Sequence, residues 1–133
     1  MEHDKELSDV QAGNLAAVAA WIGAYNAQDV GGLAAVSHER FRLEDPATGT
    51  FVHGADAFAE IARDVVRLYP DRRIGVTRML ALGSGAVAVQ GDWDGTAATA
   101  TPTGAKAGDA VHHDESMLIE LVDGRITLMR IYR

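Results

Sequence analysis

One six-residue stretch, Phe41-Arg42-Leu43-Glu44-Asp45-Pro46, constrains this chain more than any other. Read with the two-residue period of a strand, Phe41, Leu43 and Asp45 share one face, and Arg42 and Glu44 share the other. A strand that turns two large apolar side chains into a core therefore carries Asp45 inward with them. Proline donates no ladder hydrogen bond, so Pro46 ends the strand directly after Asp45. A carboxylate at the end of an apolar face is costly to bury unless it is paired or used. Asp45 is thus the first candidate for a site. Its functional reading is a general base that takes a proton from carbon or from a hydroxyl, and an apolar wall raises the proton affinity of such an acid. Its structural reading is a cap, accepting backbone N–H groups of the turn that follows.

Around this strand the chain divides by pattern. An alanine-rich segment from Val10 to Ala27 places Leu15, Val18, Ile22 and Tyr25 on one stripe with Trp21 beside it, which predicts a helix. A short helix from Val30 to Val36 follows, then the strand from Arg40 to Asp45. Pro46 to Gly54 reads as a turn-rich loop. Ala55 to Tyr69 repeats Phe58, Ile61, Val65 and Leu68 on one helical face, and Pro70 stops it. The rest reads as strands: Ile74 to Leu82, Ala86 to Trp93, Ala110 to Val122 and Arg125 to Tyr132. Gly83-Ser84-Gly85 and Asp123-Gly124 supply turns, Asp94-Gly95 offers another, and Thr96 to Gly108 reads as a strand end with an exposed loop. Helices first and an antiparallel meander after them make an α+β fold, not a βαβ one. We read one domain over residues 1–133, with residues 1–9 a polar N-terminal extension.

A net charge of -7 disfavours nucleic acid and anionic membrane surfaces as partners. The absence of cysteine excludes disulfides, thiolate catalysis and zinc-thiolate sites. Residues 1–9 are charged and lack the apolar centre of a signal peptide, and no apolar run is long enough to span a bilayer. The expected location is the cytoplasm.

Four pieces in order carry a resemblance: Tyr25-Asn26-Ala27-Gln28-Asp29, Leu43-Glu44-Asp45-Pro46, Val52-His53-Gly54 and Asp123-Gly124-Arg125-Ile126. With them the chain resembles the NTF2-like superfamily, and within it the SnoaL-like polyketide cyclase and ketosteroid-isomerase-like branch, from about Leu15 to Tyr132. The resemblance implies an NTF2-like cone, with three N-terminal helices packed on a strongly curved, mostly antiparallel sheet. It also implies a largely apolar pocket for a small hydrophobic molecule, and a homodimer. Asp45 matches the proton-shuttling aspartate of the isomerases and an acidic residue of epoxide-opening cyclases. Trp21 falls where the isomerases have their oxyanion-hole tyrosine, and Met117 falls at or near their second donor. Neither supplies an acid, which argues against steroid isomerisation itself.

The second constellation is His112-His113-Asp114-Glu115. Met117, Ile119 and Leu121 define an inward face, so parity places His113 and Glu115 on it. His113 reads as the acid or base partner of Asp45, with Glu115 orienting it or holding substrate; the alternative is a solvated strand end or a salt bridge to the Arg130 strand. Trp21, Tyr25, Phe58 and Trp93, with Met117, read as lining for a flat ligand or as plain core. His113, Glu115 and His53 make a two-histidine, one-carboxylate set on paper, but the spacing does not recommend a metal, and no cofactor motif is visible. These residues predict a cofactor-independent isomerase, cyclase or epoxide-opening enzyme, or a non-catalytic binding or assembly module with the same fold.

Overall fold

The computed structural model describes residues 2–133, with side chains from residue 5 onward. Its order is α1 (Glu2–Asn26), α2 (Val30–Ala35), β1 (Ser37–Asp45), β2 (Thr50–His53), α3 (Ala55–Leu68), β3 (Arg73–Leu82), β4 (Ala86–Thr96), β5 (Ala110–Val122) and β6 (Arg125–Tyr132). The architecture is α+β, as expected. The helices are not all N-terminal, however, because β1 and β2 precede α3. The polar start read as an extension is helical from Glu2, so α1 begins well before Val10, and residue 1 lies outside the described residues. Glu, Lys and Leu favour helix, so nothing local stops α1 from continuing toward its start.

The six strands form one sheet in the order β2-β1-β6-β5-β4-β3. β1 pairs with β6 in parallel, and the other pairs are antiparallel. β6 therefore lies between β1 and β5, and that placement builds the site. β2 went unseen in the sequence because its four residues sit among turn formers; it pairs Val52 with Leu43 and Thr50 with Asp45. Asp94-Gly95 is not a turn either. β4 runs on to Thr96, and Gly95 makes room for an indole, since a Cβ there would lie 2.9 Å from Cη2 of Trp93.

The core is the inner face of this sheet covered by the helices. Phe41 and Leu43 of β1, Val87, Val89 and Trp93 of β4, and Met117, Ile119 and Leu121 of β5 are buried against Val18, Trp21, Ile22, Tyr25 and Phe58. Asp29 caps α2 by accepting from the Gly32 N–H at 3.0 Å. Gly54 opens α3 at φ +91, a conformation that suits glycine, while its N–H donates to the Phe41 carbonyl at 2.7 Å.

Asn26 ties the end of α1 to the sheet. Its Oδ1 accepts from the Ile74 N–H at 2.8 Å, and its Nδ2 donates to the Ile74 carbonyl at 3.0 Å. Asn26→Ala leaves both main-chain groups of Ile74 without these partners. We expect a loss of about 2 kcal/mol, read by thermal unfolding as a drop of about 5–8 °C. Among the described residues no helix is long and apolar enough to cross a membrane.

Candidate active site

The predicted parity of β1 holds: Phe41, Leu43 and Asp45 are all buried, with Asp45 only 4% exposed. Its side chain does not cap the turn, where the Thr48 N–H bonds instead to the Asp45 main-chain oxygen. The carboxylate faces Arg133, whose Nη2 lies 2.9 Å from Oδ2. Oδ1 is buried and has no hydrogen-bond partner among the described residues.

On β5 parity again places His113 and Glu115 inward with Met117 and Ile119. Glu115 is 4% exposed, and its Oε1 lies 3.4 Å from Nε of the same Arg133 and 3.6 Å from Nε2 of His113. Burial pushes the Glu115 carboxyl up, the Asp45 charge adds to this, and Arg133 opposes it. Burial, then Arg133, holds the His113 imidazole below its usual value. Asp45 and Glu115 are thus joined through Arg133, a residue the sequence reading did not flag, and His113 stands beside Glu115.

Arg133 follows the end of β6 and reaches both neighbours because β6 separates β1 from β5. The pairings Glu44 with Arg130 and Ser116 with Tyr132 bring this end of β6 level with Asp45 and Glu115. The signal was present in the alternation, since Met129, Ile131 and Arg133 share parity. The Arg130 side chain turns instead to β1, where its Nε donates to Glu44 Oε2 at 2.9 Å, so the ion pair that Glu115 makes with this end of β6 runs through Arg133.

The expected lining residues come together as a continuous aromatic wall. His113 stacks on Trp93, its cross-strand partner, with ring centres 5.1 Å apart and planes 5° apart. Tyr69 meets Trp93 edge-on. Trp93 Nε1 donates to Tyr25 Oη at 3.0 Å, and Tyr25 stacks on Trp21, which packs against Phe58. Trp21, Tyr25, Phe58, Trp93 and Met117 are all buried in the core, on the inner side of the sheet. Nε1 of Trp21 is buried without a partner among the described residues. Two depressions lie elsewhere: one of about 340 Å³ on the outer sheet face by Leu80, Leu118 and Tyr132, and one of about 170 Å³ between α2 and α3.

Sequence reasoning also passed over Arg72, a buried cation. Its guanidinium lies 4.4 Å over the Tyr25 ring, and Nη2 donates to the Tyr25 carbonyl at 3.0 Å. The Tyr25 phenol is pushed up chiefly by burial, against the Trp93 hydrogen bond and the Arg72 charge. His53 is exposed on β2 and joins no cluster with His113 and Glu115. Among the described residues the set with metal-ligand spacing is Asp92, Asp94 and His112, on the outer face. There the Asp94 hydrogen bond at 2.6 Å raises the His112 imidazole.

The His113–Trp93 stack gives a direct optical readout. An imidazolium quenches an excited indole in contact with it, whereas neutral imidazole does so weakly. Because the folded-state value of His113 is depressed, the ring takes up its proton at lower pH than an ordinary histidine does. Tryptophan emission should therefore hold steady from pH 8 to the ordinary histidine range and fall below it. The step should be absent in His113→Gln. By the same sign, stability gained from a neutral buried His113 is present above the unfolded value and lost as pH falls through the folded one.

Residues 18–129 match the model of the SnoaL-like domain. The fold is similar to that of a proposed polyketide cyclase from Xanthomonas campestris pv. campestris, at 18% identity and TM-score 0.81 over 93% of this chain and 92% of that one. It is also similar to a proposed SnoaL-like polyketide cyclase from Jannaschia sp. CCS1, at 17% identity and TM-score 0.80 over 92% and 86%. TerC co-crystallized with polyporic acid is similar at 18% identity and TM-score 0.74 over 90% of each chain. No curated protein matches the chain by sequence. At these identities the structural likeness is one of fold.

Proposed function

The chain belongs to the SnoaL-like domain family of the NTF2-like superfamily, and from that premise we propose that it is a cofactor-independent proton-transfer enzyme. Its substrate is a small hydrophobic, oxygenated molecule, and its reaction is an isomerisation, an aldol-type cyclisation or an epoxide opening. One observation carries this reading: two buried carboxyls from separate strands, Asp45 and Glu115, converge on a single guanidinium beside a histidine.

The environments of the two acids divide the work between them. Asp45, with Arg133 at 2.9 Å as counter-charge, is the base. Glu115, whose burial favours the protonated form, is the acid. This reverses the parts the sequence suggested, where His113 was the acid and Glu115 its support. His113, held neutral, stands beside Glu115 as a second proton carrier. Trp21 and Met117 offer no acidic oxyanion donor, so Arg133 is the group placed to stabilise a developing enolate or alkoxide.

A second reading has its own observation. Trp21, Tyr25, Phe58 and Trp93 contact one another in a buried chain, which favours a non-catalytic binding or assembly module. A homodimer through the outer face, where Leu80 and Tyr132 are exposed, is compatible with both readings. The deciding experiment is turnover of a panel of epoxides and β,γ-unsaturated ketones, with Asp45→Asn assayed beside the wild type. Turnover that depends on Asp45 supports the enzyme. Turnover of no panel member, with a panel ligand bound unchanged, supports the module.

A further inference from the structure

Asp45 and Glu115 share one cation, and that cation sits on a side chain that is 26% exposed. Arg133 follows β6, so it can leave the site by side-chain rotation without unpairing the sheet. When it leaves, two carboxyls that are each 4% exposed lose their counter-charge. A neutral ligand taking that place would leave a buried carboxylate uncompensated, which is strongly unfavourable. Whatever replaces Arg133 must therefore bring positive charge and hydrogen-bond donors.

A second observation points the same way. Arg133 contacts Asp45 through Oδ2 alone, and Oδ1 is buried with no donor facing it among the described residues. A carboxylate in this state has capacity for one more N–H. A small planar cation, freed from the tether to β6, can meet both oxygens in the bidentate geometry that guanidinium and carboxylate favour.

We infer that Asp45 and Glu115 form a binding site for an organic cation, a guanidinium or primary alkylammonium group, of which Arg133 is the resident and displaceable occupant. The flat stack of Trp93 and His113 beside Glu115 forms one side of this site, and a ligand with an apolar body behind its cationic head would lie against it. Cation binding here does not require turnover, so it survives the failure of the catalytic reading.

The test is rescue of Arg133→Ala by methylguanidinium and by ethylammonium, followed by thermal unfolding. Urea is the neutral isostere of guanidinium, and sodium chloride at equal ionic strength controls for screening. Methylguanidinium at ten times its dissociation constant should raise the melting temperature of the variant by about 4–6 °C. It should leave the wild type almost unmoved, because Arg133 already fills the site. Urea and sodium chloride should do nothing in either protein, and adding Asp45→Asn to the variant should abolish the rescue. An equal response of variant and wild type, or no response of the variant, overturns the site. If Arg133→Ala does not fold, the wild type decides by NMR. Methylguanidinium should move the Arg133 Nε–H resonance toward that of free arginine, and an unmoved resonance at saturating cation counts against displacement.

Discussion

Asp45→Asn should cut turnover of any substrate the protein accepts by about 10²–10⁴-fold, the range that a positioned acid or base contributes. The substitution is nearly isosteric and keeps an oxygen facing Arg133, while Arg133 keeps its contact with Glu115. The fold should therefore survive, and the loss should fall on kcat with KM little changed, since the base acts in the transition state. Glu115→Gln should also cost activity. If the two acids work as a pair, the double variant should be little worse than Asp45→Asn alone, because half of a proton relay is as idle as none. Steady-state kinetics on the three variants checks this. Effects that multiply instead would mean that the carboxyls act separately. A change in ligand affinity with no catalysis to lose would return the protein to the binding-module reading.

Much of this arrangement was legible in the chain. Alternation in Phe41-Arg42-Leu43-Glu44-Asp45 fixed the direction of Asp45, and alternation around Met117 did the same for His113 and Glu115. Parity is a local property, so short windows carry it. What alternation cannot supply is which strands lie side by side. β6 is inserted between β1 and β5 by a parallel pairing that joins residues far apart in sequence, and only that order makes Arg133 a bridge between the two acids. The relative burial of Glu115 and His113 was hidden for a related reason. Whether Glu115 or His113 is the more deeply desolvated depends on what covers the end of β5, and its own neighbours in sequence do not show this. β2 and the reach of β4 through Gly95 were hidden by turn-forming residues that tertiary pairing overrode.

The largest effect on stability is expected at Gly91→Ala. A Cβ on Gly91 would be driven into the carbonyl oxygen of Gly75, with the Gly75 carbonyl carbon at 3.0 Å and the Val76 Cα at 3.3 Å. These are main-chain atoms and cannot rotate aside. They come this close because β3 carries an irregularity between Val76 and Arg78, next to the pairing of Val76 with Gly91. Such a bulge bends the strand that holds it and sharpens the local twist. Closing it off should cost about 3 kcal/mol or more, a fall in melting temperature of about 10 °C by circular dichroism. Gly75→Ala is the matched control. Its Cβ would meet only the carboxyl group of Asp92, the end of a side chain that can turn away, so its cost should be far smaller. Gly91 also pairs on its other side with Glu115, so the bend that the bulge creates sets the position of the buried acid. Gly91→Ala should consequently weaken the Arg133–Glu115 contact along with the fold. Asn26→Ala, which unties α1 from β3, should lower the melting temperature while leaving that contact intact. The Arg133 Nε–H resonance separates the two cases: it should shift in Gly91→Ala and stay in place in Asn26→Ala. If it stays in place in both, the bend at Gly91 serves the core alone, and Glu115 is positioned by something other than the curvature of the sheet.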